Sequence, residues 1–149
     1  YFNSTPLRIS LDKGNNDIAN ILLNRKEIQI TEGYFFGSHL NMIEIPKRLT
    51  KICKSTFQYC RYLEKVTLPN TITSIGSHSF DGCSLLTSIE IPSSVASIGA
   101  FAFRECKSLE KVIIPPNLRK IDYQAFFGGI SLTEVLLSCE NQNDNGNFI

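Results

Sequence analysis

The chain has 149 residues, 42% of them hydrophobic and 19% charged, with a formal net charge of +1. That is one domain's worth of ordinary globular composition, long enough to bury a core. The charge gives no global electrostatic reason to expect nucleic acid or an anionic membrane as a partner, and no apolar run approaches the ~18 residues of a membrane span.

The chain opens on Tyr1 rather than methionine. We read it as a fragment or processed product, so the lack of a signal peptide says nothing about the parent's destination. Residues 1–26 read as an N-terminal cap or a degenerate repeat. LRISL (Leu7–Leu11) alternates like a strand, and KGNND (Lys13–Asp17) reads as a turn. IANILLN (Ile18–Asn24) is apolar and fits a helix or another strand. The sequon Asn3-Ser4-Thr5 carries little weight alone.

From residue 27 to 137 the chain repeats every 23 residues, giving four to five units. One column reads Ile45, Leu68, Ile91, Ile114, each followed by a proline: Pro46, Pro69, Pro92, Pro115. Others read Ile43, Val66, Ile89, Val112, Val135 and Leu40, Leu63, Leu86, Leu109, Leu132. Two more read Leu49, Ile72, Val95, Leu118 and Ile52, Ile75, Ile98, Ile121. Tyr34, Phe57, Phe80, Phe103 and Phe126 form an aromatic column; Gly37, Cys60, Cys83, Cys106 and Gly129 form a small-residue column.

In LTSIEI, Ile89 and Ile91 alternate with Ser88 and Glu90, so one strand face points in and one out. Equal units stack these strands about 4.8 Å apart in a parallel sheet. Proline donates no N–H and stops the strand. The second half of each unit is not helical by pattern. It reads as an extended piece through Val95–Ile98, a tight bend at Gly99, and a brief helical or 3₁₀ turn across Ala102–Cys106.

LTSIEIPSSVASIGAFAFRECKSLEKVIIP resembles the BspA-like, or Treponema-type, leucine-rich repeat. The shared marks are the apolar-x-apolar-Pro strand, then Ile-Gly, Ala-Phe and Cys. The resemblance implies a leucine-rich repeat solenoid, with a parallel sheet on the concave side and an irregular or short-helical return side. It also implies a protein-binding module of a surface-associated or adhesin-like protein, at the cell surface or secreted. EGYFFGS in the first unit, Gly129 in the last, and Asp122 for the glycine of Gly76 and Gly99 depart from the pattern. Residues 138–149 are asparagine-rich and read as a polar C-terminal loop or cut end.

The candidate chemistry is sparse. Cys60, Cys83 and Cys106 lie 23 apart rather than at metal-site spacing, so a buried thiol column is the main expectation, with metal or disulfide the other readings. Five cysteines, including Cys53 and Cys139, are an odd number for a disulfide framework. His39 and His78 fall in loosely filled columns without a nucleophile-like setting. No Walker-type loop or G-x-G-x-x-G is present, so no enzyme activity, metal or cofactor is expected.

The outward strand positions are Met42, Lys65, Ser88, Lys111, Glu134 and Glu44, Thr67, Glu90, Ile113, Leu136. They vary while their inward neighbours repeat. They read as a protein-binding concave face or as drift on a solvated sheet. Lys47, Arg48, Lys51, Lys54 and Arg61 form a basic stretch, read as a solvated edge or a phosphate- or acid-binding patch. The expected partner is another protein, engaged without nucleic acid or membrane insertion; an intracellular scaffold is the alternative to a surface role.

Overall fold

The computed structural model describes residues 16–26 and 30–137. Helix α1 (Asn16–Leu23) precedes nine short strands. These are β1 (Met42–Glu44), β2 (Lys51–Ile52), β3 (Lys65–Thr67), β4 (Ser74–Ile75), β5 (Ser88–Glu90), β6 (Ser97–Ile98), β7 (Lys111–Ile114), β8 (Lys120–Ile121) and β9 (Glu134–Leu137). Each repeat contributes one longer and one two-residue strand, coiling into a solenoid.

All pairing is parallel and follows the period. Met42 lies beside Lys65, Ser88 beside Lys111, and Lys111 beside Glu134. The ladder is interrupted between β3 and β5, so the long strands form a pair, β1-β3, and a triple, β5-β7-β9. The return side is more regular than expected. Strands β2, β4, β6 and β8 form a continuous second parallel sheet. The core lies between the two sheets and is filled by the inward columns, among them Val66, Ile89, Val112, Ile75, Ile98, Leu63, Leu86 and Leu109.

The aromatic column is a continuous stack. Ring centroids of Phe35–Phe57, Phe57–Phe80, Phe80–Phe103 and Phe103–Phe126 lie 5.0, 5.2, 5.3 and 5.1 Å apart, with planes within 8° of parallel. One rotamer repeated at the coil spacing produces this geometry, and each pair adds about 0.5–1.5 kcal/mol beyond its burial. The first member is Phe35, not Tyr34 as the fixed period suggests; Tyr34 lies edge-on to Phe35. Likewise Ser38, not Gly37, occupies the cysteine column: Ser38 Oγ is 3.3 Å from Cys60 Sγ, at a sequence separation of 22. The first coil is one residue short between Ser38 and Leu40, which shifts its turn against the strand columns.

The expected helical or 3₁₀ turn at Ala102–Cys106 is present only as single i→i+3 turns, such as Arg104 N–H to the Phe101 carbonyl at 3.2 Å, and not as a helix. Alongside these turns runs a third hydrogen-bond ladder. The N–H groups of Phe57, Phe80 and Phe103 donate to the carbonyls of Ser79, Ala102 and Ala125 at 2.7–2.8 Å. Left-handed residues bracket this segment in each coil: Ser55, His78, Phe101 and Gln124 on one side, and Tyr59, Gly82, Glu105 and Gly128 on the other. Those two reversals bend the chain while alternate N–H groups keep pointing at the next coil.

Gly99 is not a left-handed bend. Its role is close approach: a Cβ there would sit 2.5 Å from Ser77 N, and one at Gly76 2.7 Å from Lys54 N. Neighbouring backbones touch at this corner, which is why the Ile-Gly pair recurs.

At the N-terminal end, IANILLN adopts the helical alternative. Asn16, read from the sequence as part of a turn, is the first helical residue. Asn16 Oδ1 accepts from Asn41 N at 3.1 Å, and Asn20 Oδ1 accepts from Glu44 N at 3.2 Å. One helical turn apart, these two amides stand in for the carbonyls of a preceding strand. The Arg48 guanidinium donates twice to the Leu23 carbonyl, at 2.9 and 3.2 Å, satisfying the helix C-terminus. Leu7–Leu11, the sequon, Cys139 and the polar segment 138–149 lie outside the described residues.

Candidate protein-binding face

The long strands carry the side chains singled out in the sequence. Alternation buries Ile43, Val66, Ile89 and Val112 and turns Met42, Glu44, Lys65, Thr67, Ser88 and Glu90 to solvent. Lys111 and Ile113 are half-buried, and Glu134 and Leu136 are exposed. Strand pairing brings Glu44 beside Thr67, Glu90 beside Ile113, and Ile113 beside Leu136. All ten residues therefore share one face.

That face changes character along its length. Toward α1 it presents Glu44, Lys65 and Glu90, none in an ion pair among the described residues. Toward β9 it presents Ile113 and Leu136 beside the ion pair Lys111–Glu134, 3.4 Å apart. At the break in the ladder, Lys65, Thr67, Asn70, Ser88, Glu90 and Pro92 border a cleft of about 390 Å³. Sequence reading placed the ladders but gave no sign of this break, which comes from the spacing of two strands and not from any residue type.

Of the five basic residues, two have partners within the chain. Arg48 is committed to Leu23, and Lys54 pairs with Glu32 at 3.2 Å. Lys47 and Arg61 are exposed. Arg48 and Lys51 line a second cleft of about 460 Å³ with Lys26, Ile30, Thr50 and Cys53.

Cys60, Cys83 and Cys106 are fully buried free thiols. Their Sγ atoms donate to the carbonyls of Phe35, Phe57 and Phe80 at 3.0, 3.2 and 3.2 Å. Burial pushes the Cys60 thiol up to about 11, Cys106 up to about 12, and Cys83 well above the ordinary thiol range. Cys53 is partly exposed and lies 3.5 Å from the Ile30 carbonyl. No cluster of three or more metal-ligating side chains occurs among the described residues.

One polar group escaped the sequence reading. Asp81 is buried, and its Oδ2 lies 3.0 Å from both His78 Nδ1 and Gln58 Nε2. The same column holds Gln58 before it and Arg104 after it, so no repeat marked Asp81 out. His78 also stacks on Phe101 at 5.0 Å, and Arg104 lies over the same ring. No helix among the described residues is long and apolar enough to cross a membrane.

Parallel strands at a 23-residue pitch, an inward leucine and isoleucine column and a proline after each long strand define a leucine-rich repeat solenoid, a class that generally serves protein interaction. The chain belongs to the BspA type leucine rich repeat family, whose repeat region matches residues 16–147 in six copies. No curated protein matches the sequence.

Among solved structures, a leucine rich repeat protein of T. pallidum is 28% identical with a TM-score of 0.70, over 72% of this chain and 51% of that one. A leucine-rich repeat protein from Bacteroides ovatus is 32% identical, TM-score 0.68, over 72% of this chain and 29% of that one. A leucine rich cell surface protein from Faecalibacterium prausnitzii is 30% identical, TM-score 0.65, over 68% of this chain and 27% of that one. The chain thus spans between about a quarter and a half of these neighbours' lengths.

Proposed function

We propose that this chain is a protein-binding module of a surface-associated, adhesin-like protein, and that its long-strand face is the recognition surface. The observation that carries this is the contrast within each long strand. Inward positions repeat and are buried, while outward positions vary from coil to coil and stand in solvent. Stacking dictates the first set and leaves the second free to specify a partner. Exposed Met42 and Leu136, with half-buried Ile113 beside the latter, add apolar contact area to a face whose other members are polar.

The surface assignment draws on likeness to a protein described as a leucine rich cell surface protein. On this reading residues 1–26 form an N-terminal cap, 27–137 the binding repeats and 138–149 a polar segment. The chemistry is binding rather than catalysis.

The test is pull-down from host-derived extracellular protein against cytosolic protein, with wild type and Ile113→Asp/Lys65→Glu. An extracellular partner lost at least tenfold by the double variant supports the proposal. A partner bound undiminished by the variant puts the interface elsewhere, and a partner found only among cytosolic proteins favours an intracellular scaffold.

A further inference from the structure

Tyr59 occupies a position that favours glycine. Its φ is 60°, and Gly37, Gly82 and Gly128 take the equivalent place in three other coils with φ of 66°, 74° and 77°. Glu105 fills it in the remaining coil with φ of 55°. A bulky aromatic residue rarely enters this region, and the Tyr59 N–H, donating to the Asp81 carbonyl at 2.7 Å, holds it there. The ring lies against Gly82, where a Cβ would sit 2.5 Å from Tyr59 Cδ1. Phe36 meets the ring edge-on, with centroids 5.5 Å apart. The core does not ask for this ring, because Tyr59 is 42% exposed.

Three residues on, Tyr62 is 51% exposed, and its ring meets His39 edge-on at 5.0 Å. Leu85, one period later, is 42% exposed. Between the two tyrosines, Arg61 is exposed and forms no ion pair among the described residues. Coils pack on both sides of this one: Gly37 N–H donates to the Gln58 carbonyl, and Tyr59 N–H to Asp81. The exposure therefore belongs to the flank of the solenoid and not to an end of the stack. We propose that this flank is a docking surface for an extended, proline-rich segment of a partner protein.

Two features select that occupant. The first is hydrogen-bonding character. The polar tips beside the rings are donors: two phenol O–H groups and the Arg61 guanidinium. A proline-rich segment is their complement, since every residue exposes a carbonyl while proline brings no N–H that needs a partner. Arg61 adds a preference for an acidic residue among the prolines. The second feature is spacing. A polyproline II helix turns once every ~9.3 Å, and two coil spacings span ~9.6 Å. Prolines one turn apart thus keep step with alternate coils along the flank. Aromatic surfaces suit such segments because the helix is extended before it binds, and a tyrosine already fixed on Gly82 loses little freedom in binding it.

The experiment is fluorescence anisotropy of labelled decaproline, and of the same peptide with a central glutamate, titrated with the 149-residue chain. Circular dichroism verifies that each variant is folded. Wild type is expected to bind both peptides, with Kd on the order of 100 μM for decaproline and lower for the glutamate peptide. Tyr59→Gly, which installs the residue three other coils carry, and Tyr62→Ala are each expected to weaken binding at least about tenfold. Arg61→Ala is expected to remove the preference for glutamate. The absence of saturable binding to either peptide overturns the proposal. So does equal binding of a glycine-serine decamer, or binding undiminished in Tyr59→Gly and Tyr62→Ala. Binding lost instead in Ile113→Asp/Lys65→Glu places the peptide on the long-strand face and also overturns it. Cellohexaose bound in preference to the peptides assigns the rings to a glycan, with the same consequence. Because the flank lies off the long strands, its failure leaves the recognition face untouched.

Discussion

Cys83 Sγ donates a hydrogen bond to the main-chain carbonyl of Phe57, 3.2 Å away and 26 residues earlier in sequence. Cys60 and Cys106 repeat the contact with Phe35 and Phe80. The thiol is thus a buried side-chain rung between coils. Cys83→Ala removes the donor, leaves a buried carbonyl without it and opens a small void. We expect a loss of about 1–3 kcal/mol in urea unfolding.

The same burial sets thiol reactivity and the alkaline limit of stability. In a Cys139→Ser background, Cys53 should react with a thiol reagent in the native protein at pH 8, and the other three thiols only after unfolding. Unfolded thiols ionise near pH 8.5–9, whereas folded Cys60 and Cys106 ionise near 11 and 12. Above pH 9 the unfolded state holds fewer protons than the native state, so stability is fully present below that pH and falls as pH rises toward 11–12. Urea midpoints at pH 7, 9 and 10.5 should decline in that order, and an unchanged midpoint would contradict the burial of these thiols.

Gly99→Ala places a methyl 2.5 Å from the Ser77 amide nitrogen, and backbone does not move aside as a flexible side chain does. A cost of about 2–4 kcal/mol is expected by chemical denaturation. Gly129→Ala, whose nearest new contact is the Phe126 carbonyl oxygen at 3.3 Å, should cost distinctly less.

Gln124 holds a left-handed φ of 50° in the last described turn. Replacing it with glycine relieves a cost of about 1–2 kcal/mol but adds chain entropy to the unfolded state. The net gain should be up to about 1 kcal/mol, read as a higher urea midpoint. A destabilised Gln124→Gly would mean that the side chain contributes contacts outweighing the strain.

Asn20→Ala removes the acceptor for the Glu44 amide without touching the core. Hydrogen exchange at Glu44 N–H should accelerate, with exchange at Val112 unchanged, because the edge of β1 frays while the stack holds. Equal acceleration at both sites would show that α1 stabilises the whole solenoid rather than its first edge.

The inward columns were legible because a stack applies the same steric demand to each coil. Ile43, Val66, Ile89 and Val112 meet equivalent neighbours and so are all β-branched aliphatic residues. The outward ladders could be assigned for the complementary reason: strand alternation leaves Lys65 and Glu90 no choice of side. Tyr34 and Gly37 were misplaced because a constant period cannot register a single deletion between Ser38 and Leu40. Hydrogen bonds at shortened offsets, such as Phe35 N to Thr56 O, locate it at once.

From sequence alone came the coil length, the members of the core and the identity of the two variable ladders, since all three follow from periodic burial. Three-dimensional packing decided the rest: the second sheet, the left-handed turns carrying the third ladder, the gap between β3 and β5, and the asparagine-tipped helix over the first coil. Each of these depends on how backbones meet across a full coil of chain, a distance over which neighbouring letters exert no force.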